Sequence, residues 1–240
     1  TCALPILFNQ TETPVAKEAK ANTQFISMML PYMIMIMLFS GAMSISVDAF
    51  AGEKERGTLA AMLISPIKRT DIAMGKVIAL AIVAGISSIV YAVSMIVSMG
   101  FMGRNAGESI SGFGNVSFDA GQIVQIGLML IILDYFFVAV IALLSSLAKD
   151  VKSARTFVTP AYMVVLVCAL MTMFSTSSKT TLGQYAIPLY GNALAIQDIC
   201  TGELSTTGFL VSFGVTFVLA AIMTVGLAKA FDSDKLMFNA

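Results

Sequence analysis

Two uncharged apolar runs, 24–47 and 77–102, flank a polar interruption, and this arrangement restricts most what the chain can fold into. Each run exceeds the roughly 20 apolar residues that an α-helix needs to cross a bilayer. The interruption, residues 51–76, contains five of the fourteen basic residues of the chain. A turn between two membrane helices needs much less polar sequence, so we expect these residues to form a docking surface.

The composition places the whole chain among integral membrane proteins. Hydrophobic residues make up 58% of the sequence and charged residues 12%, and the mean hydropathy is +0.88. Three further apolar runs, 121–148, 156–174 and 208–228, are also long enough to cross a bilayer. We therefore predict an all-α fold: a polytopic transmembrane helical bundle with five spans.

Charge and histidine content exclude several function classes. The formal net charge is zero, which gives no electrostatic basis for binding nucleic acid. The sequence has no histidine, so histidine metal sites and histidine acid–base catalysis are excluded. A methionine stripe in the first span, Met29, Met33 and Met37, could hold a soft metal ion. Methionine more often fills gaps in helix packing, and we expect no metal site.

The sequence also predicts where two segments outside the five spans lie relative to the membrane. Residues 1–23 resemble the end of an extracellular segment, and 24–240 form the membrane domain. Between the fourth and fifth spans, residues 185–199 are largely apolar and include Pro188 and Gly191. Non-helical backbone at membrane depth needs protein or water around it, so we predict a re-entrant extracellular helical hairpin there.

The distribution of lysine and arginine predicts the orientation of the chain in the membrane. Ten of the fourteen basic residues lie in the interruption, in the loop 149–155 and in the C-terminal tail, which five spans place on one side. Basic loops favour the cytoplasmic side of a membrane. We expect a multi-pass protein of the cell inner (plasma) membrane with a cytoplasmic C-terminus.

The polar interruption itself predicts an interfacial helix at about 52–65. Its charged residues stand at its N-terminal end. Leu59, Met62 and Leu63 then recur at three- and four-residue spacing, which gives one apolar face. Such a helix lies in the plane of the membrane surface. Pro66 disfavours helical backbone at Ser65 and ends the helix there.

The same stretch carries a resemblance to a known family. The run Gly52-Glu53-Lys54-Glu55-Arg56-Gly57-Thr58-Leu59, followed by Leu63, Ser65-Pro66, Arg69 and Gly75-Lys76, resembles the signature of type-2 ABC transporter permeases. Within them it is most similar to the NatB-like, sodium-exporter group. Permeases of this family have six spans, which implies that this chain lacks its first membrane span and begins near the end of an extracellular region.

The resemblance implies a function for the interfacial helix. In the family, this helix couples the membrane domain to a separate ATPase subunit. The implied coupling residues are Glu53, Glu55, Arg56, Gly57, Thr58, Leu59, Ser65 and Pro66. The plain structural alternative is a solvated loop whose positive charge only orients the protein.

By the same resemblance, the chain is a permease subunit of an ATP-driven exporter, with sodium as a candidate substrate. The sequence has no GxxxxGK[ST] loop, so we expect no bound cofactor on this chain, and ATP and Mg on a partner ABC ATPase subunit. A second permease copy or a paralogue would complete the path within the lipid bilayer. The chain itself is not expected to be an enzyme, because the catalytic pairs of membrane enzymes are missing.

Asp134, at the centre of the third span, is the second candidate site. A carboxylate at mid-bilayer costs several kcal/mol and usually faces a bundle interior or a cavity. It is a candidate transport-path residue, or a structural residue bonded to a neighbouring hydroxyl or simply protonated. The alternative function, an ATPase-independent ion channel or secondary carrier, would use Asp134.

Overall fold

The computed structural model describes five stretches of the chain: 14–58, 69–105, 120–173, 182–201 and 205–232. Within these stretches every regular element is helical, which confirms the predicted all-α class. Five of the described helices are long and apolar enough to cross a membrane, as predicted from the five apolar runs. The segment 1–23 lies outside the described residues up to Thr13, and helix covers the remainder.

The described helices differ widely in length. The elements in chain order are α1 (Pro14–Val47), a π-helix (Asp48–Gly52), α2 (Glu53–Glu55), α3 (Arg69–Asn105), α4 (Ala120–Ser146), α5 (Val151–Met173), α6 (Leu182–Tyr185), α7 (Tyr190–Thr201) and α8 (Thr206–Asp232). The candidate spans are the long helices: α1 extended through α2, then α3, α4, α5 and α8. Helices α1, α3 and α5 begin five or more residues before the corresponding apolar runs, at Pro14, Arg69 and Val151, because helical backbone continues into polar sequence.

Helix α4 is the centre of the bundle and touches each of the other four spans. The side chain of Phe137 packs edge-on against Phe39 of α1, with 5.1 Å between ring centroids. Phe39 also packs against Tyr162 of α5 at 5.4 Å. The hydroxyl groups of Tyr135 on α4 and Thr224 on α8 lie 2.9 Å apart and share a hydrogen bond. Aromatic packing therefore joins α1, α4 and α5, and a polar contact joins α4 to α8.

The outer surface of the spans is apolar. Large hydrophobic side chains that are more than half exposed include Ile82 on α3, Val164 on α5 and Ile222 on α8. In water such a surface would drive aggregation, whereas lipid tails solvate it without cost. The surface therefore fits a multi-pass membrane protein.

The predicted hairpin region contains two short helices, α6 and α7. Helix α7 packs against α1, α4, α5 and α8, and its residues 191–196 are all buried. The turn between the helices contains Pro188 and places Leu189 at φ +68°. A helical pair thus occupies the predicted place at the end of the bundle where α8 begins. Its position relative to the membrane, and hence its re-entrant character, stays a prediction.

Candidate functional site

The chain does not leave the bundle where the first apolar run ends, at Val47. A π-helix, Asp48–Gly52, continues directly from α1 and buries Phe50, Ala51 and Gly52. The ring of Phe50 packs edge-on against that of Phe231, near the end of α8, with centroids 5.8 Å apart. The polar motif that follows is therefore held against the bundle from its first residue.

The motif is helical through Glu55, turns at Arg56 and Gly57, and is helical again at Thr58, where the described stretch ends. Gly57 has φ +73°, a left-handed conformation that glycine adopts without strain, and its amide donates to the Lys54 carbonyl at 3.1 Å. The prediction of one continuous helix over 52–65 is therefore not confirmed, because a glycine turn interrupts it after α2. Leu59, Ser65 and Pro66, which belong to the same prediction, lie outside the described residues.

Glu53 connects the motif to α3. Its carboxylate forms an ion pair with the ammonium group of Lys76, and both side chains are largely shielded from solvent. The same ammonium group lies 3.4 Å from the Ala49 carbonyl oxygen and 5.6 Å from the centre of the Phe50 ring. Lys76 is thus surrounded by a carboxylate, a carbonyl and an aromatic face, all of which favour a cation.

Lys54 connects the motif to the end of α4. Its ammonium group donates hydrogen bonds to the carbonyl oxygen of Ser146, the last residue of α4, and to that of Ala148 at 3.2 Å. The last carbonyls of a helix have no partner within the helix and carry a partial negative charge. A lysine therefore satisfies both the hydrogen-bonding need and the charge at this position.

Glu55 connects the motif to the start of α5. One carboxylate oxygen accepts a hydrogen bond from the Val151 amide at 3.0 Å. That amide is one of the unpaired donors at a helix N-terminus, where a negative charge is favourable. The backbone at Gly52 also lies near Val151, since a Cβ built at Gly52 would lie 3.7 Å from Cγ2 of Val151. We call Glu53, Lys54, Glu55 and Lys76 the charged clamp.

The loop between α4 and α5, which Lys54 and Glu55 contact, also caps the start of α5. The Ser153 amide donates to the Asp150 carboxylate at 2.6 Å, and the Asp150 amide lies 3.3 Å from the Ser153 hydroxyl. The Ser153 hydroxyl also donates to the Asp150 carboxylate, and this bond, together with that from the Ser153 amide, favours the ionised carboxylate and lowers the pKa of Asp150. Asp150 is exposed, so these hydrogen bonds form a cap at the surface where α5 begins.

The next residues of the motif face outward. Arg56, Gly57 and Thr58 are exposed, and the Thr58 hydroxyl donates to the Glu53 carbonyl at 3.2 Å. The predicted site residues therefore fall into two groups. Glu53 and Glu55 bind other helices of the chain, whereas residues 56–58 form an exposed turn.

The surroundings of Asp134 differ from those of the motif. The residue is 2% exposed and belongs to the central helix α4. Among the residues that the structure describes, its carboxylate makes no hydrogen bond or ion pair, and its neighbour Tyr135 makes the bond to α8. The structure does not bring Asp134 to the outer surface of the chain.

Lys54 and Lys76 are functional candidates that the sequence did not single out. Both lie in the motif or just after it, so their positive charge was visible, but their partners were not. The acceptors of Lys54 are more than 90 residues away in sequence. The early start of α5 did have a signal, because Asp150 followed three residues later by Ser153 is a capping pattern.

Comparison with known proteins identifies the family. The profile of the family described as "ABC-2 family transporter protein" matches residues 4–229, nearly the whole chain. The chain belongs to the ABC-2 transporter family. The type-2 ABC permease resemblance of the motif is therefore confirmed, and the chain is an ABC-type permease with transmembrane helices.

A similar relative of this permease is the ABC transporter permease protein NatB of Bacillus subtilis (strain 168). The two sequences are 25% identical over 240 residues, which cover 96% of this chain and 58% of NatB. This permease thus spans little more than half the length of that relative. No solved structure matches the chain significantly.

Proposed function

We propose that this chain is the membrane-spanning permease subunit of an ATP-driven ABC exporter, with a separate ATPase subunit docked at the exposed turn 56–58 beside the clamp. One observation carries the proposal: the ends of four spans meet around residues 50–55, and residues 56–58, which follow directly, are exposed. The contacts of Phe50, Glu53, Lys54 and Glu55 reach α8, α3, α4 and α5 respectively. A force applied to that turn would therefore reach most of the bundle directly.

The charges at this end support a cytoplasmic location. Arg56, Lys149, Lys152 and Arg155 are exposed there, next to the loop that Glu55 contacts. Basic residues in short loops favour the cytoplasmic side of a membrane, which is where an ATPase subunit has access to ATP. The C-terminal end of α8 lies at the same end of the bundle, so this orientation gives a cytoplasmic C-terminus.

ATP and Mg would be bound by the partner, because the chain has no phosphate-binding glycine loop of the GxxxxGK[ST] type. A second copy or a paralogue would form the translocation path together with this chain. Hydrolysis on the partner would displace residues 56–58, and the spans would change their packing in response. Sodium is the substrate that the sequence resemblance implies.

The experiment that tests docking uses the full-length protein with the ATPase subunit encoded beside it. We expect the two to co-purify, and Arg56→Glu to abolish the association, since it reverses an exposed charge without touching the clamp. Lys229→Glu is the matched control, because Lys229 is also exposed and lies in the last turn of α8. Loss of association in the control alone would contradict docking at the turn.

A sodium-efflux assay tests the substrate and the rival function together. Efflux should depend on the ATPase subunit and stop when that subunit cannot hydrolyse ATP. Efflux that continues without the ATPase subunit, and that Asp134→Asn abolishes, would favour a channel or secondary carrier. Burial of Asp134 inside one chain supports a structural role, in which Asp134→Asn leaves ATP-dependent efflux in place.

A further inference from the structure

The order of charges in the clamp matches the order of helix ends that it contacts. Helix α4 ends at Ser146 and α5 begins at Val151, so a helix C-terminus and a helix N-terminus lie side by side. The first carries a partial negative charge and the second a partial positive charge. Lys54 contacts the negative end and the adjacent Glu55 contacts the positive end.

Glu53 adds a third helix to the same three residues. Its ion pair with Lys76 fastens the early part of α3, which begins within the polar interruption. Three consecutive side chains thus contact α3, α4 and α5 in turn. The backbone under them is also fixed, because Phe50, Ala51 and Gly52 are buried in the preceding π-helix.

These contacts leave the two glutamates poorly suited to bind another protein. The carboxylate of Glu53 already neutralises Lys76, and that of Glu55 already caps α5. A partner that took the Glu53 carboxylate would leave the partly buried Lys76 without its counter-charge. Glu55 is exposed, and a partner that drew its carboxylate away would remove the cap from the Val151 amide. Unpaired charges and donors of this kind are costly, so the exposed turn at 56–58 is the better contact.

We infer that Glu53, Lys54 and Glu55 are positioning residues, which hold the ends of α3, α4 and α5 to the turn at 56–58 as one unit. The clamp stays closed throughout the transport cycle, and displacement of the turn moves the three helix ends together. This inference rests on the proposed function, in which the ATPase subunit supplies the displacement. It separates the motif into an internal clamp and an external contact.

A covalent bridge across the clamp tests whether it stays closed. Gly52→Cys and Val151→Cys are combined in a full-length protein whose native cysteines are replaced, since a Cβ at 52 lies 3.7 Å from the Val151 side chain. We expect the pair to react under oxidation or with a short bifunctional thiol reagent, and transport to continue in the bridged protein. Failure to bridge, or transport that stops and returns on reduction, would overturn the inference.

A second variant separates positioning from folding and from docking. Lys54→Met removes the charge at the α4 end but leaves the turn intact, so ATPase association should persist. Transport per ATP hydrolysed should fall about tenfold, the size of an ordinary coupling between two sites. Lys54→Arg should restore the ratio, because arginine also donates to carbonyl oxygens.

The outcomes distinguish this inference from the proposed function. If the wild-type protein does not associate with the ATPase subunit, the proposed function fails. If association holds but Lys54→Met keeps the wild-type ratio of transport to hydrolysis, the clamp has no positioning role. A fall in protein stability with an unchanged ratio would likewise contradict the inference, because it would mark Lys54 as structural only.

Discussion

The two ends of the bundle hold their helices together by different chemistry. At one end the charged clamp joins full charges to helix ends far away in sequence. At the other end α7 is fixed to α8 by neutral groups: the buried Asn192 amide donates to the Thr216 hydroxyl at 2.7 Å and accepts from it at 3.0 Å and from Ser212 at 3.3 Å. Both arrangements satisfy polar groups that would otherwise be buried without partners.

The difference follows from where the groups lie. Asn192, Thr216 and Ser212 are buried within the helices, where an ionised side chain would lose its hydration. The clamp lies where the spans end and only part of each side chain is covered. Ionised side chains keep part of their hydration there, and their charges also match the dipoles of the helix ends. The charged end is therefore held by full charges at the surface of the bundle, and the neutral end by hydrogen bonds inside it.

The largest effect is expected at the neutral end, in the first turn of α7. A Cβ at Gly191 would lie 2.7 Å from the carbonyl carbon of Tyr185 and closer still to its oxygen. Backbone cannot yield as a side chain can, so Gly191→Ala should destabilise the protein by about 3 kcal/mol or more. The control is Gly183→Ala in α6, where nothing lies within 4 Å. Equal thermal denaturation midpoints for the two variants in detergent would contradict the close approach.

The charged end should give the next largest effect, through the ion pair of Glu53 and Lys76. Its side chains are 27% and 13% exposed, so the pair lies between exposed pairs and fully buried ones. Glu53→Lys places two cations together and should cost about 2 kcal/mol. The double variant with Lys76→Glu should recover much of that loss, because it restores opposite charges. Additive losses in thermal stability would show that the two side chains do not interact.

How far the sequence predicted these two ends differs between them. The five spans followed from the length of the apolar runs, since lipid leaves little alternative to helices of about 20 apolar residues. The gathering of basic segments at one end followed from the alternation of spans, and the contact of Phe50 with Phe231 agrees with it. The α6–α7 pair followed from an apolar stretch that Pro188 interrupts.

The side-chain partners could not be predicted in the same way. Lys54 bonds to Ser146 across 92 residues, and no local pattern specifies which of two helix ends a lysine will cap. The turn at Gly57 was not predicted, because the spacing of apolar residues favoured one continuous helix. Glycine at φ +73° breaks that helix. Asn192 was not noticed because one amide in an apolar stretch carries no periodic signal. Long-range polar pairing is a property of the packed bundle.

A smaller effect should come from the hydroxyl of Thr216. Thr216→Val keeps the shape of the side chain but removes a partner of Asn192, so it should cost about 1–2 kcal/mol. Thr172→Val is the matched control, because Thr172 is equally buried and its hydroxyl donates only to backbone carbonyls of its own helix. Thermal midpoints should fall further for Thr216→Val. The reverse order would mean that the amide cluster contributes little to holding α7 on α8.

The smallest effect, and the one that best separates the two ends, is a dependence on pH. Hydrogen bonds from Ser153 lower the pKa of Asp150 in the folded protein, so the stability they add is present above the unfolded value of about 3.9. It is lost as the pH falls through the lower, folded pKa.

Asparagine is also a good N-cap but does not ionise, so the difference in thermal midpoint between wild type and Asp150→Asn should shrink in acid. The difference between wild type and Thr216→Val should stay constant over the same range, because an amide and a hydroxyl do not titrate there. A constant difference for both variants would show that the charge of Asp150 adds nothing to the cap of α5. A clear change for Asp150→Asn alone would show that ionised groups stabilise the clamp end, whereas neutral hydrogen bonds hold α7 to α8.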